Sequence, residues 1–475
     1  MGVLESIVDV GNDIVWGHVL IYLLIATGLF FTLRSGFIQF RLFGPSLATM
    51  LGSRRHRSPG DISPFQAFAT GLASRVGTGN IAGVAIAITA GGPGAVFWMW
   101  ATALLGMSSA FAESTLAQLF KVNHRDDTFR GGPAYYIERG LGQRWLGIVF
   151  ALLLILTFGL VFNAVQANSI VAAIAGAAGD GAVSPEWIGL VLVVITAPII
   201  FGGVRSVARV AELMVPVMAG LYLLMALYIT VANIGVLPEV VATIFKSAFG
   251  LQQAAGGFAG YAVSQAMMQG IRRGLFSNEA GMGSAPNAAA TATTRHPATQ
   301  GLMQMLGVFI DTIIVCSCTA AIILLSGVYQ PGNGMGGVQL TQAAIVSQVG
   351  DWGSVFLAVA MFLFAYSSII GNYAYAEGNV EFIRNSRPVL LVFRLAVLAM
   401  VFFGSVQEVK LVWNMADLSM GLMAIVNLVA ILLLSRWVFV LAKDYRGQLR
   451  LGAAEPVFDR KSYPELDRRL PRDVW

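Results

Sequence analysis

Apolar runs recur along all 475 residues, each closed by glycine, proline or charge. They fall at about 17–33, 64–90, 94–120, 145–176, 186–203, 211–234, 254–271, 300–326, 340–375, 388–404 and 411–441. Segments of this length cross a hydrocarbon core, where no water can satisfy a backbone amide, so each must close its hydrogen bonds as a helix. Composition agrees: 56% of residues are hydrophobic and 12% charged, and the mean hydropathy is +0.72. A soluble domain carries roughly twice that charge. The sequence therefore predicts an all-α polytopic membrane protein with eleven spans. Fifty-three glycines suit close packing of its helices.

Charge sets the orientation. With the N-terminus outside, the inner loops hold Arg34, Arg41, Arg54, Arg55, Arg57, Lys121, Arg125, Arg130, Arg139 and Arg144, and basic residues continue to Arg472 in the tail. Only Lys246 and Lys410 fall outside, while Arg75 and Arg394 fall within spans. Positive charge gathers on the cytoplasmic side, so the prediction is N-out and C-in. The net charge of +5 is thus a membrane-flank feature rather than a nucleic-acid footprint. The acidic N-terminus does not indicate a cleaved signal peptide. Cys316 and Cys318 lie two apart in one helix and face different ways, which makes a mutual disulfide impossible. No phosphate-binding loop, His-x-x-x-His or Ser-His-Asp pattern occurs, so an ATP-driven pump or hydrolase is unsupported and no catalytic residue is expected.

Within the second run, Ala73-Ser-Arg-Val-Gly-Thr-Gly-Asn-Ile-Ala places Arg75, Thr78 and Asn80 at membrane depth with glycines between them. Polar groups there are costly unless partnered. A helix that breaks at this point frees amides and carbonyls to hold an ion or a zwitterion. Setting the first run aside leaves ten, and the sixth of these also opens on glycines, Ala254-Ala-Gly-Gly-Phe-Ala-Gly. Paired broken helices at matching positions point to an inverted-repeat transporter. The predicted divisions are 1–63, an N-terminal helix and basic loop; 64–234 and 235–441, two five-helix repeats; and 442–475, a solvated or loosely docked tail.

Amides near Thr78, Gly79 and Asn80 would meet a carboxylate at the start of a half-helix, and the carbonyls of Ala73 and Val76 suit sodium. Asn163, Gln166 and Asn168 line a site or join helices; Ser367 and Ser368 lie near mid-membrane. Asp311 and Glu113 are candidates for function or for pairing with Arg75, as is Glu279. The polar, glycine-rich run 277–286 reads as an inner gate or a plain loop. Residues 35–63 are expected along the membrane surface, and Val240, Ile244 and Phe245 on an interfacial face outside.

Three motifs resemble the sodium:alanine symporter family (alanine or glycine:cation symporters): Gly77-Thr-Gly-Asn-Ile-Ala-Gly, Gly91-Gly-Pro-Gly-Ala-Val-Phe-Trp-Met-Trp100 and Gly274-Leu-Phe-Ser-Asn-Glu-Ala-Gly-Met-Gly-Ser284. The resemblance runs from the first to about the eleventh span. It implies a leucine-transporter-type (LeuT) fold of five plus five helices with one extra N-terminal helix, working by alternating access in a bacterial inner membrane. Sodium would be the coupling ion, with no other cofactor, and L-alanine or glycine the cargo, D-alanine being a further candidate. By the same resemblance Thr78, Gly79, Asn80, Gln166, Gly257 and Phe258 hold substrate, and Ala73, Val76, Ser367 and Ser368 hold sodium. Where the family often has tryptophan after Gly371, this chain has Asn372, which puts the size limit of the pocket in question. Proton-coupled or exchange transport with Asp311 or Glu113 titrating is the alternative, and a membrane sensor or channel the third reading.

Overall fold

The structure is a computed structural model that describes residues 3–53, 61–124, 128–179, 181–250, 259–332, 334–407, 409–472 and 474–475. Among these, eight helices are long and apolar enough to cross a membrane, or nine if one bent pair counts as a single span. The long helices are α1 (Ser6–Arg34), α4 (Gly94–Leu119), α5 (Arg144–Ala178), α7 (Gly203–Ala232), α10 (Ala298–Leu325), α12 (Trp352–Ile383), α13 (Arg387–Val406) and α14 (Val409–Leu433). The bent pair is α2 (Pro64–Arg75) and α3 (Gly79–Gly91). Two further predicted runs are helices of other kinds: α6 (Pro185–Phe201) is short, and α9 (Ala259–Asn278) is more polar.

The start of α2 is written in its sequence. Ser63 accepts the Gln66 N–H at 3.1 Å while the Gln66 side chain accepts the Ser63 N–H at 3.1 Å, and Pro64 fills the first helical position. This reciprocal cap satisfies two amides that would otherwise be orphaned, and proline there costs no hydrogen bond. The helix stops at Val76, whose ψ of 85° leaves the α region, and α3 resumes at a 48° bend. Nearly every residue from Ala67 to Ala85 is buried, so the break lies inside protein rather than against lipid.

Around it, α4 packs on α9 and α10, α5 on α12 and α13, and α2 on α7 and α12. The Gly91–Trp100 motif holds a turn. Gly92 has a φ of 72°, and a Cβ on Gly94 would run into the backbone of Ala248. That alanine ends α8 (Leu237–Ala248), and Trp98 Nε1 donates to its carbonyl at 3.3 Å. On α8 the expected apolar face is present: Val240 and Ile244 are buried, and the Phe245 ring lies 5.5 Å from Phe97.

Two expectations change. The run at 340–375 is not one helix: α11 (Gly337–Val349) ends at Gly350, whose φ is 86°, and α12 begins at Trp352. Glycine supplies that left-handed turn at no steric cost, and the apolar residues on both sides of it hid it from a hydropathy reading. The tail is also folded rather than loose. After α15 (Ser435–Arg450), Phe458 N donates to Arg295 O at 2.9 Å and Trp475 Nε1 donates to Leu119 O at 3.1 Å, while Leu466 is fully buried. Charge along the tail suggested solvent, but five apolar or aromatic anchors (Phe458, Tyr463, Leu466, Leu470 and Trp475) carry the packing.

Candidate functional site

The break brings four elements together. Ala73, in the last turn of α2, has a carbonyl that accepts Ser367 Oγ at 3.2 Å and Ser368 Oγ at 3.1 Å. Both hydroxyls also reach Phe364 O, the local bond that serine favours in an apolar helix. Gly77 is pressed against this pair: a Cβ there would collide with Ser368 Oγ. Val76 is buried at the turn, its amide bonded to Leu72 O. Hydroxyl and carbonyl oxygens with no thiolate or imidazole among them form a hard donor set, suited to an alkali cation.

On the other side of Gly77, the Thr78 N–H donates to Gln166 Oε1 at 3.0 Å and the Gly77 N–H donates to Asn80 Oδ1 at 2.9 Å. Side-chain oxygens thus occupy both amide hydrogens at the break. Gly79 lies against Phe276 and Ser277 of α9, with no room for a Cβ. The partners of Asn80 extend further: Nδ2 donates to Asp311 Oδ1 at 2.7 Å, and its carbonyl accepts Thr319 Oγ1 at 2.6 Å.

Asn372 sits one turn beyond Ser368. Its Oδ1 accepts Ser74 Oγ at 2.6 Å, and its Nδ2 donates to Asn163 Oδ1 at 3.1 Å. Asn163 and Gln166 therefore face the break together. Asn168 does not: it donates to Gly404 O and Gln407 O and ties α5 to α13. Gly257 and Phe258 lie outside the described residues.

Arg75 corrects an expectation. It forms no ion pair among the described residues; its guanidinium donates to Gln304 Oε1 and, at 3.1 Å, to Gln304 O. Asp311 is held by Asn80, Ser277 and Thr312. Glu113 accepts the N–H groups of Gly281 at 3.2 Å and Gly283 at 3.1 Å, with Asn427 Nδ2 at 2.7 Å. A neutral residue of α10 meets two of the guanidinium nitrogens through its carbonyl and side-chain oxygens, while Arg75 Nε is buried without a partner among the described residues. The sequence did carry a signal for this, since Gln300, Gln304 and Asp311 share one face of α10 at helical spacing. Ser74 and Asn427 were missed and carry no comparable pattern.

The run 277–286 is buried, and between the end of α9 at Asn278 and a short helix from Ala285 it forms a tightly bonded loop. Glu279 has a φ of 57°, and Gly281 and Gly283 have φ of 84° and 86°. The Glu279 carboxylate accepts Ser74 Oγ at 3.0 Å and Ser284 Oγ at 2.6 Å, so the left-handed residue is pinned from both sides. Among the described residues no cluster of three or more His, Cys, Asp or Glu side chains is placed to hold a metal.

Residues 1–460 match the sodium:alanine symporter family. The chain belongs to this family. Three relatives are similar to it almost end to end. The amino-acid carrier protein AlsT of Bacillus subtilis (strain 168) is 53% identical over 462 residues, covering 97% of this chain and 96% of that one. The probable sodium/glutamine symporter GlnT of the same organism is 51% identical over 456 residues, covering 96% and 93%. The sodium/alanine symporter AgcS of Methanococcus maripaludis is 41% identical over 438 residues, covering 90% and 94%. A multi-pass membrane protein of a transporter family is what this membership and the apolar helices establish.

Proposed function

We propose that the chain imports small neutral amino acids, alanine or glycine first, with sodium flowing inward through the same bundle of helices. The observation that carries this reading is the adjacency at Gly77. A hard oxygen cluster (Ala73, Ser367, Ser368) and a set of carboxylate-ready amides (Gly77, Thr78) share one break in one helix. An ion that orders the break on one side fixes the amides on the other, so each ligand raises the affinity for its partner. The proposed fold is the five-plus-five inverted repeat preceded by α1, with α6 and α9 completing eleven spans, the tail inside, and the membrane that of a bacterial cell. Thr78, Gly79, Asn80 and Gln166 hold the cargo, and Asn372 borders its side chain. Ala73, Val76, Ser367 and Ser368 hold sodium.

The test is uptake of labelled alanine into liposomes carrying the purified protein. Accumulation driven by an inward sodium gradient, collapsing when choline replaces sodium, is the expected result. Sodium-independent equilibration would refute coupling. Competition by unlabelled glycine, D-alanine, serine, glutamine and leucine reads the pocket beside Asn372.

A further inference from the structure

The tail beyond α15 is built as a unit. The Arg460 guanidinium donates to the Asp467 carboxylate and to the carbonyls of Pro471 at 3.0 Å and Arg472 at 3.2 Å. Phe458 stacks on Tyr463 with ring centroids 5.9 Å apart and meets Trp475 edge-on at 5.4 Å. One arginine and one aromatic cluster thus fold this stretch back on itself. Gly452, with a φ of 86°, turns the chain into it from α15. The family match ends at residue 460, so most of the unit lies beyond what the family description covers.

What the unit covers is a joint. Residues 289–296 connect the loop at 277–286 to α10, and the end of α4 grips them. Gln118 Nε2 donates to Ala289 O and, at 3.0 Å, to Ala292 O, while Gln118 Oε1 accepts Thr294 Oγ1 at 2.9 Å. Lys121 Nζ donates to Ala292 O at 2.7 Å. This lysine is buried and forms no ion pair among the described residues. Its ammonium faces two rings instead, 4.0 Å from the Phe129 centroid and 4.8 Å from that of Trp475. The Trp475 indole N–H donates to Leu119 O at 3.1 Å, and the Phe458 N–H donates to Arg295 O at 2.9 Å. The tail is therefore fastened to both sides of the grip.

An ammonium bonded to a carbonyl in open water loses much of that bond to solvent, and the same bond is stronger where water is kept out. The Trp475 ring covers the Lys121 ammonium and adds its own attraction for the cation. The tail thus sets how firmly α4 holds the joint. The joint continues into the loop whose Glu279 accepts Ser74 Oγ beside the break, so grip and break are tied through one short stretch of chain.

Resting on the reading that the tail lies inside and cargo moves inward, we propose that the tail from Phe458 to Trp475 is a strap that holds the inner exit closed. Trp475 over Lys121 is its latch. Cargo leaves when the strap lifts as a unit and water reaches the bond between Lys121 and Ala292.

Cys316 reports such an opening in the full-length protein. Its thiol is buried at the break, 3.3 Å from Asn80 Nδ2 and 3.2 Å from Ser277 Oγ. The chain has one other cysteine, so Cys318→Ser leaves Cys316 as the single reporter. The experiment measures its labelling in liposomes of one protein orientation, by a membrane-impermeant maleimide supplied on the face that carries the tail. Trp475→Ala should raise the labelling rate by about tenfold, the worth of one charge-assisted contact. Removal of residues 461–475 should raise it at least as far. Trp475→Phe keeps a ring over Lys121 and loses only the bond to Leu119, and should stay within about threefold of the background. An unchanged rate in both Trp475→Ala and the shortened chain overturns the proposal. So does an equal acceleration with maleimide on the opposite face, which would mean a loosened bundle rather than an opened exit. If alanine uptake does not follow sodium, the symport reading fails, and the labelling rates still decide the strap.

Discussion

Gln166 Oε1 accepts the Thr78 N–H at 3.0 Å, so a side chain of α5 holds the amide that the proposed function assigns to an anionic ligand. The contact is a competitor as well as a brace. Gln166→Ala removes the brace together with the side-chain amide that the proposed function assigns to the cargo, and alanine uptake should show a KM raised by about tenfold, the worth of one net hydrogen bond to a charged group. Gln166→Glu places a fixed negative charge beside the cargo carboxylate and should nearly abolish uptake at every sodium concentration. Concentration series at saturating sodium check both.

Ser367→Ala and Ser368→Ala each remove a hydroxyl from the Ala73 carbonyl. The sodium concentration for half-maximal uptake should rise by about five- to tenfold in each single variant. Alanine KM at saturating sodium should stay within about twofold. A variant that changes alanine KM alone would separate these serines from the ion.

Gly77→Ala puts a methyl group against Ser368 Oγ. Either the serine turns away or the break opens, and both disarrange the ion and amide sides at once. Transport should fall by at least about a hundredfold, since displacement of site groups by an ångström costs that much, with the protein still extracted in folded form. Gly94→Ala is the contrast. It clashes with the Ala248 backbone far from the break, and its loss should appear in thermal stability and yield rather than in sodium dependence.

His296 gives a pH prediction. Ala298 N–H donates to Nδ1 at 3.0 Å, so the ring proton sits on Nε2, facing Asp444 Oδ2 at 3.2 Å. Burial holds the imidazole below its ordinary pKa, in spite of the carboxylate, while the bond to His296 holds the Asp444 carboxyl below its own. A histidine whose folded pKa is lowered contributes stability that is fully present above the unfolded value of 6.5 and is lost as pH falls through the folded value. Thermal stability should therefore decline on acidification below about pH 6.5. His296→Gln should flatten that decline, as scanning from pH 8 to pH 5 will show.

Much of the site was legible because it depends on backbone chemistry. Glycines on either side of Thr78, in an apolar run that needs no polar group, mark a broken helix whatever surrounds it. Ser367 and Ser368, five and four residues before Asn372, announce one polar face of α12. What surrounds a residue was less legible. Arg75 was expected to seek a carboxylate, yet Gln304 meets it, because helical periodicity says which residues share a face and not which face arrives opposite. Asn168 shares the apolar helix of Gln166 but lies on a different side of it. The division at Gly350 was concealed by apolar neighbours, and the docking of the tail by its charges, since a few buried anchors outweigh many solvated residues.

The two serine protons that point at Ala73 have a further meaning for the transport cycle. With hydroxyls donating to that carbonyl, and with Gln166 and Asn80 covering the Thr78 and Gly77 amides, none of these polar groups is left orphaned. A carrier that satisfies itself when empty can swing back across the membrane with nothing aboard. Under the proposed function that return leg would separate net import from one-for-one swapping, and it would rest on two rotatable O–H bonds and two amide side chains.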